Sequence, residues 1–316
     1  MSLSAKSEDA ELPRAIVIVG PTASGKSDLA LRWATRFDGE IVNADSVQIY
    51  RHFDIGSGKP SAEELARVPH HLLGTFDPHA EMDASIFAEL AIERIREIEA
   101  RGKIAIVCGG TFLWVRALLF GLVPAPPKDE SLRERHRQFV AERGREALHE
   151  QLSGVDPASY ARLMPNDFVR VSRALEVFEL TGKPLSELQQ AHGFATPRLN
   201  ARLFGVAQAR EELHRRIAER TLGMFAKGWL DEVRDLIAQG FGDTRPMASV
   251  GYREVHQALT SGEQVEISAL AEQVSRATRV FARRQLTWLR EQPVHWLSPE
   301  QCNTETGWTK DGPSAT

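Results

Sequence analysis

The feature that most constrains the fold of this chain is the octapeptide GPTASGKS, Gly20 to Ser27. It matches the pattern G-x-x-x-x-G-K-[ST], whose glycines let the backbone wrap closely around a phosphate. The apolar run AIVIVG precedes it, and the segment KSDLALRWATRF, with apolar residues at roughly helical spacing, follows it. A buried strand, a phosphate-binding loop and a helix are therefore predicted in that order.

The same alternation continues along the first third of the chain. A second strand is predicted over Glu40 to Ala44, and KIAIVCGG is a third buried strand. The amphipathic segment ASIFAELAIERIREIEARGK between them predicts a helix. From about Gly121 the pattern changes to helices only. RLFGVAQ, Arg202 to Gln208, then returns as a strand and is followed by helices and the short strand VHWLS.

This order predicts an α/β fold with a P-loop NTPase-like parallel sheet. We expect a core domain of residues 13–121 and 201–298 with additional C-terminal helices, interrupted by a helical insertion domain of residues 122–200. The polar tails, residues 1–12 and 299–316, are expected to be disordered.

Composition limits the possible partners and cellular compartment of the protein. The 316 residues carry a net charge of −4, so a nucleic-acid surface would have to be local. The two cysteines, Cys108 and Cys302, make neither a disulfide framework nor a four-ligand zinc site. The N-terminal segment lacks the apolar stretch of a signal peptide, and no run of 18 apolar residues occurs. We expect a cytoplasmic protein without a membrane partner.

The loop predicts a ligand class but not one ligand. Its amides would hold phosphate oxygens, Lys26 would reach the terminal phosphate, and the Ser27 hydroxyl would bind Mg²⁺. ATP-binding proteins share this motif, yet any diphosphate with Mg²⁺ meets the same requirements. The third strand ends in Gly109, Gly110 and Thr111, without the aspartate usual in an NTPase. Small-molecule kinases can lack that aspartate too, so a P-loop kinase of a nucleotide or small metabolite stays open.

Asp45 follows the second strand in NADSVQIYR. Ligands bind at the carboxyl ends of the strands of such a sheet, so Asp45 and Lys26 should face one crevice. Asp45 is then either a general base beside a bound diphosphate or the cap of the next turn.

Several long blocks carry a family resemblance. GPTASGKS, NADSVQIYRHFDIGSGKP, VCGGTFLWVRALLFG, NDFVRVSRALEVFELTGKPLS, RIAER, GYREV and TRVFARRQLTWLR follow one another between about Arg14 and Leu297. Together they resemble the tRNA dimethylallyltransferase (isopentenyl-tRNA transferase) family, bacterial type. The resemblance implies transfer of a dimethylallyl group from dimethylallyl diphosphate to N6 of adenosine 37, beside the tRNA anticodon. The products would be N6-dimethylallyladenosine and diphosphate.

The resemblance also implies a site. Mg²⁺ would be the cofactor, the anticodon stem-loop of tRNA the partner and a monomer the acting form. Asp45 would accept the amine proton, Thr111 would lie near the reacting centre, and Arg220 would contact the diphosphate. The diphosphate would be bound by Gly20, Pro21, Thr22, Ala23, Ser24, Gly25, Lys26 and Ser27.

Four segments would contact tRNA by the same resemblance. They are Asp45, Ser46, Val47 and Gln48; Val169, Arg170, Val171, Ser172 and Arg173; Ser249, Val250, Gly251, Tyr252 and Arg253; and Arg283, Arg284, Gln285 and Arg290.

Structural alternatives to these RNA contacts remain open. The arginines between Arg276 and Arg290 suit a phosphate backbone, but they also suit a solvated helix face. Arg170 and Arg173 could instead pair with Asp167 and Glu176. Tyr252 could stack on a base or cap the core.

Two other classes of protein compete with this interpretation. A P-loop kinase would need ATP and would have no use for the arginine-rich segment between Arg276 and Arg290. An RNA-binding GTPase-like module would need a guanine-recognition motif such as NKxD, which the sequence lacks.

Overall fold

The computed structural model describes residues 12–303, 308–309 and 312–313. Its main sheet has six strands: β1 (Arg14–Val19), β2 (Gly39–Asn43), β3 (His70–His71), β4 (Ile104–Gly109), β5 (Asn200–Val206) and β6 (His295–Leu297). Their order is β3-β2-β4-β1-β5-β6, and every neighbouring pair is parallel. The predicted α/β fold is confirmed.

Fourteen helices are found in the described part of the chain. They are α1 (Lys26–Arg36), α2 (Ala62–Arg67), α3 (Ala84–Ala100), α4 (Phe112–Phe120), α5 (Glu130–Arg143), α6 (Arg145–Val155), α7 (Pro157–Arg162), α8 (Phe168–Thr181), α9 (Leu185–His192), α10 (Arg210–Ala226), α11 (Trp229–Ala238), α12 (Tyr252–Thr260), α13 (Ile267–Leu289) and α14 (Pro299–Asn303).

The continuous apolar runs form the buried strands, as expected for a parallel sheet covered on both faces. Val17, Ile18 and Val19 in β1 are fully buried. Ile18 belongs to a core cluster that includes Leu29 and Trp33 of α1. Because all strands are parallel, the carboxyl ends of β1, β2 and β4 meet at one edge. That edge carries the phosphate loop, Asp45 and Thr111.

The chain forms two compact units. Unit 1 consists of the described residues up to Leu119 and from Arg198 onward; unit 2 is Phe120–Pro197. The predicted insertion, residues 122–200, differs from unit 2 by two or three residues at each end. Unit 2 contains α5 to α9, whose apolar side chains pack in a separate cluster around Leu148, Leu152 and Leu175.

One part of the tail prediction needs correction. Pro299–Asn303, placed in the disordered tail, forms α14, and Trp308–Thr309 (β7) pairs with Gly312–Pro313 (β8). The other residues of the predicted tails, 1–11, 304–307, 310–311 and 314–316, lie outside the described residues. Within the described residues, no helix is both long and apolar enough to cross a membrane.

Candidate active site

The phosphate loop has the tight backbone that its sequence predicts. Ala23 and Gly25 have positive φ angles of 63° and 95°, and the N–H of Ser24 donates to the Pro21 carbonyl at 3.2 Å. A side chain on Gly20 would lie 2.7 Å from the Ser24 hydroxyl, so Ser24 would have to move to make room for it. Gly25 is the N-cap of α1. The helix N-terminus and the loop amides therefore make a site for an anion.

Lys26 and Arg220 provide two partly buried cations at this site. Burial lowers the pKa of Lys26, and the charge of Arg220 lowers it further, while the charge of Asp45 opposes this shift. Burial also lowers the pKa of Arg220, and Asp45 partly opposes that shift. The Nζ of Lys26 donates to the Pro21 carbonyl at 3.3 Å. Two cations held close together favour a bound dianion or polyanion.

Two arginines of α10 donate hydrogen bonds to the phosphate loop, although they lie 193 and 198 positions after their partners in the sequence. Arg220 donates to the Thr22 hydroxyl at 2.6 Å and to the Ser57 carbonyl at 3.1 Å. Arg216 donates to the Ala23 carbonyl at 2.8 Å. Arg220 was a predicted site residue, whereas Arg216 was missed. Its position one helical turn before Arg220 in RRIAER was the available signal.

Of the two roles that the sequence left open for Asp45, the structure shows the cap. Its Oδ1 accepts hydrogen bonds from the N–H groups of Val47, at 2.9 Å, and Gln48, at 3.2 Å, so the carboxylate does cap the following turn. Asp45 also lines a cavity together with Lys26. Within the described residues no hydrogen bond reaches Oδ2, and the role of Asp45 as a general base stays a prediction.

Thr111 ties the end of β4 to the Asp45 segment. Its hydroxyl accepts from the Ser46 N–H at 3.0 Å and donates to the Ser46 hydroxyl at 3.1 Å. Its own N–H donates to the Ala44 carbonyl at 3.3 Å. Gly109 permits this approach, because a side chain there would lie 2.1 Å from the Ala44 oxygen. Asp45 and Thr111 are thus held on one wall.

A cavity of about 600 Å³ lies in unit 1 and brings most of the predicted residues together. Its walls include Thr22, Ala23, Gly25, Lys26, Ser27, Asp45, Ser46, Val47, Gln48, Thr111, Arg220, Ser249, Val250, Gly251, Tyr252, Arg284 and Gln285. The predicted residues of unit 1 outside these walls are Gly20, Pro21, Ser24, Arg253, Arg283 and Arg290.

In unit 1, the side chains of Tyr252 and Gln285, both predicted to contact RNA, are buried. The Tyr252 hydroxyl donates to Glu232 at 2.6 Å and the ring packs against Phe53 and Trp229, so Tyr252 caps the core rather than stacking on an exposed base. Gln285 is 5% exposed, and its side-chain amide is hydrogen-bonded to the Thr22 N–H and the Gly110 carbonyl. Neither side chain is placed as a surface RNA contact would be.

In unit 2, Arg170 and Arg173 form the ion pairs that the sequence allowed as an alternative to RNA contacts. Arg170 pairs with Asp167 and Arg173 pairs with Glu176, each at 2.6 Å. Val171 and Ser172 are buried, so their side chains are not placed to contact RNA. Val169 and Arg170 are exposed on α8.

The arginines of α13, together with Arg290 directly after its last residue, form a largely exposed cationic surface. Arg276, Arg283, Arg284 and Arg290 are exposed. Arg279 is an exception, since it pairs with Glu272 at 2.9 Å. Phe281 is 38% exposed and lies on the cavity wall.

The side-chain NH₂ group of Gln48 is already hydrogen-bonded within the protein. Its Nε2 donates to the Ser57 and Gly58 carbonyls at 3.1 and 3.0 Å. Only Oε1 is left to meet a ligand, and it can accept a hydrogen bond from an amine.

Other supporting residues were missed because nothing in their local sequence marks them. Gln208 donates to the Ser24 carbonyl at 3.0 Å. Glu232 accepts hydrogen bonds from three consecutive N–H groups, those of Asp54, Ile55 and Gly56. In the described residues no group of three His, Cys, Asp or Glu side chains could hold a metal ion.

Known proteins resemble this chain over most of its length. The family model for IPP transferase matches residues 48–292. A tRNA dimethylallyltransferase of Sorangium cellulosum is 53% identical over 90% of both chains, and one of Myxococcus xanthus is 45% identical over 90% of this chain and 92% of its own.

Solved structures agree with these sequences. The tRNA isopentenylpyrophosphate transferase of Bacillus halodurans has a TM-score of 0.65 and 35% identity over 90% of each chain. A eukaryotic dimethylallyltransferase, solved acting on tRNA, has a TM-score of 0.77 and 26% identity over 93% of this chain and 76% of its own.

Proposed function

Because this chain belongs to the IPP transferase family, we propose that it transfers the dimethylallyl group of dimethylallyl diphosphate to N6 of adenosine 37 in the anticodon stem-loop of tRNA. The enzyme would act as a monomer in the cytoplasm. One observation carries the proposal: a single cavity is lined by the phosphate loop, Asp45, Thr111 and Arg220. An anion site thus faces a candidate base, as a prenyl transfer requires.

The first half of the reaction concerns the leaving group. As the bond between the allylic carbon and the diphosphate oxygen breaks, negative charge grows on the diphosphate. The loop amides, Lys26 and Arg220 surround the place where this charge develops and stabilise it. Because both side chains are largely withdrawn from water, their attraction for the diphosphate is stronger than at the surface.

Mg²⁺ fits the residues present. Magnesium is usually held by one or two protein oxygens together with phosphate oxygens and water. Ser27 lines the cavity, and its hydroxyl would supply one such oxygen. When bound, the ion would neutralise charge on the leaving diphosphate.

The second half concerns the nucleophile. The N6 amine of adenine is a weak nucleophile because its lone pair is delocalised into the ring. As N6 forms its bond to the allylic carbon, it releases a proton. Asp45 Oδ2 accepts that proton, while the N–H groups of Val47 and Gln48 fix the orientation of the carboxylate through Oδ1.

An adenosine stacked in the anticodon loop cannot reach this cavity in place. The base must be extruded, at a cost of a few kcal/mol in lost stacking. Oε1 of Gln48 then offers an acceptor to the adenine edge. The exposed arginines of α13 offer phosphate contacts to the RNA outside the cavity.

Ligand discrimination by the loop tests the proposal. In the presence of Mg²⁺, dimethylallyl diphosphate and inorganic diphosphate should compete for one site. Lys26→Ala should weaken both, while Lys103→Ala, a surface variant whose lysine pairs with Asp38, should not. Binding of ATP to this site, with phosphate transfer to a metabolite and no prenyl transfer, would refute the proposal in favour of the kinase.

A further inference from the structure

Glu232 accepts an unusually complete set of hydrogen bonds. Its Oε2 accepts from the N–H groups of Asp54, at 3.0 Å, and Ile55, at 2.6 Å. Its Oε1 accepts from the N–H of Gly56 at 3.1 Å and from the Tyr252 hydroxyl at 2.6 Å. One carboxylate in the first turn of α11 thereby fixes three consecutive backbone groups about 180 positions earlier in the chain.

The segment that Glu232 holds, residues 54–58, supports two side chains of the cavity. The Ser57 carbonyl accepts hydrogen bonds from Arg220 and from Gln48, both at 3.1 Å. The Gly58 carbonyl accepts a second hydrogen bond from Gln48 at 3.0 Å. Glu232 itself does not line the cavity.

Packing leaves this segment little freedom. A side chain on Gly56 would lie 2.0 Å from Nε1 of Trp229, and one on Gly58 would lie 2.2 Å from the Arg220 guanidinium. The segment is therefore pressed against α11 on one side and against Arg220 on the other. A shift of its backbone must move the carbonyl groups on which Arg220 and Gln48 rest.

We propose that Glu232 is a positioning residue for the prenyl transfer, and that it acts by fixing the Ser57 carbonyl that orients Arg220 and Gln48. This inference rests on the proposed function for its kinetic part. Its direct consequence concerns the diphosphate site: without Glu232, one of the two described hydrogen-bond acceptors of Arg220 is no longer held in place.

Glu232→Gln is the first test, because it keeps the size of the side chain and replaces one accepting oxygen by an NH₂ group. We expect kcat to fall by about 10- to 100-fold, as for other residues that orient a catalytic group. The affinity for inorganic diphosphate should also fall, because Arg220 is no longer held in position. Asp231→Asn is the matched control, since Asp231 lies in the same turn and pairs with exposed Arg234; it should leave kcat and diphosphate affinity unchanged.

A double-mutant cycle separates positioning from a general loss of structure. In an Arg220→Lys background, Glu232→Gln should have little further effect on diphosphate affinity, because its influence passes through Arg220. An equal loss in both backgrounds, or a wild-type kcat and diphosphate affinity in Glu232→Gln, would overturn the inference. If Glu232→Gln does not fold, Tyr252→Phe removes one donor to Glu232, and unchanged kcat and diphosphate affinity in that variant would overturn it as well.

The proposed function can fail separately. If the wild-type protein transfers no prenyl group, the function is wrong, and the diphosphate affinities still decide whether Glu232 positions Arg220.

Discussion

The side-chain oxygen of Gln285 accepts a hydrogen bond of 2.9 Å from the backbone N–H of Thr22, 263 positions away in the sequence. Its Nε2 donates to the Gly110 carbonyl at 2.8 Å. One buried side chain of α13 therefore joins the phosphate loop after β1 to the loop after β4. The neighbouring residue, Arg284, is exposed at the cavity.

Gln285→Leu should damage the diphosphate site and the fold together. The N–H of Thr22 and the carbonyl of Gly110 would lose their partner, at a cost of about 1–3 kcal/mol for each group that stays unsatisfied. We expect a lower free energy of unfolding and weaker binding of inorganic diphosphate, measured by denaturant titration and calorimetry. Gln273→Leu, at an exposed position of the same helix, is the control. If Gln285→Leu changed only the affinity for tRNA, Gln285 would be an RNA contact.

Asp45→Asn should separate catalysis from donor binding. An asparagine oxygen can still accept from the N–H groups of Val47 and Gln48, so the turn should persist, but the side chain cannot take a proton. We expect kcat to fall by about 10²-fold or more, with diphosphate affinity largely unchanged. Asp38→Asn, at an exposed aspartate paired with Lys103, should retain full activity. A wild-type rate in Asp45→Asn would exclude Asp45 as the base.

The exposed arginines of α13 should control the salt dependence of tRNA binding. Replacing Arg283 and Arg284 by alanine should make the plot of log affinity against log salt shallower, by about 0.7 for each phosphate of single-stranded RNA that an arginine no longer neutralises. Arg279→Ala is the control on the same helix, because Glu272 already neutralises that arginine. The same slope in wild type and double variant would place the tRNA elsewhere.

Protonation of Glu176 at low pH should lower the stability of unit 2. Its fully buried carboxylate accepts hydrogen bonds from Arg133, Arg173 and the N–H of Asp129. Burial alone raises the pKa of Glu176, but these hydrogen bonds outweigh it and hold the pKa below its ordinary value. A depressed pKa in the folded state stabilises the fold above the unfolded pKa, and this stabilisation is lost as pH falls through the folded value.

We therefore expect the free energy of unfolding to decline below about pH 4.3, the usual glutamate pKa. Glu176→Gln should flatten this decline and cost about 3–5 kcal/mol at pH 7, because two partly buried arginines are left without their negative partner. Denaturant titrations across this pH range measure both effects. Glu146→Gln, at an exposed glutamate of unit 2, should behave as wild type; a Glu176→Gln profile that matched it would contradict the prediction.

The sequence predicted those parts of the fold whose cause is local. The continuous apolar run around Val17 and Ile18 required a strand buried on both faces, and GPTASGKS required the loop after it. β3 was missed because a two-residue edge strand, His70–His71, has no periodicity to detect. The helix α14 was missed because its polar sequence resembles a disordered tail.

Long-range contacts explain what could not be predicted in the site. For Arg170 and Arg173 the sequence offered the correct partners, Asp167 and Glu176, because these lie only three residues away. The partners of Glu232 and Gln285 lie about 180 and 263 positions away, so no local pattern identifies them. The sequence also did not predict which side chains are exposed to solvent. Arg284 and Gln285 are adjacent, yet Arg284 is exposed and Gln285 is buried.

The most direct test of the central claim is transfer of a labelled dimethylallyl group without ATP. The protein would be incubated with Mg²⁺, unmodified bacterial tRNA and labelled dimethylallyl diphosphate, and the tRNA would then be digested to nucleosides. We predict label on N6 of a single adenosine beside the anticodon, together with release of inorganic diphosphate. Absence of label under these conditions, with phosphate transfer once ATP is added, would contradict the account.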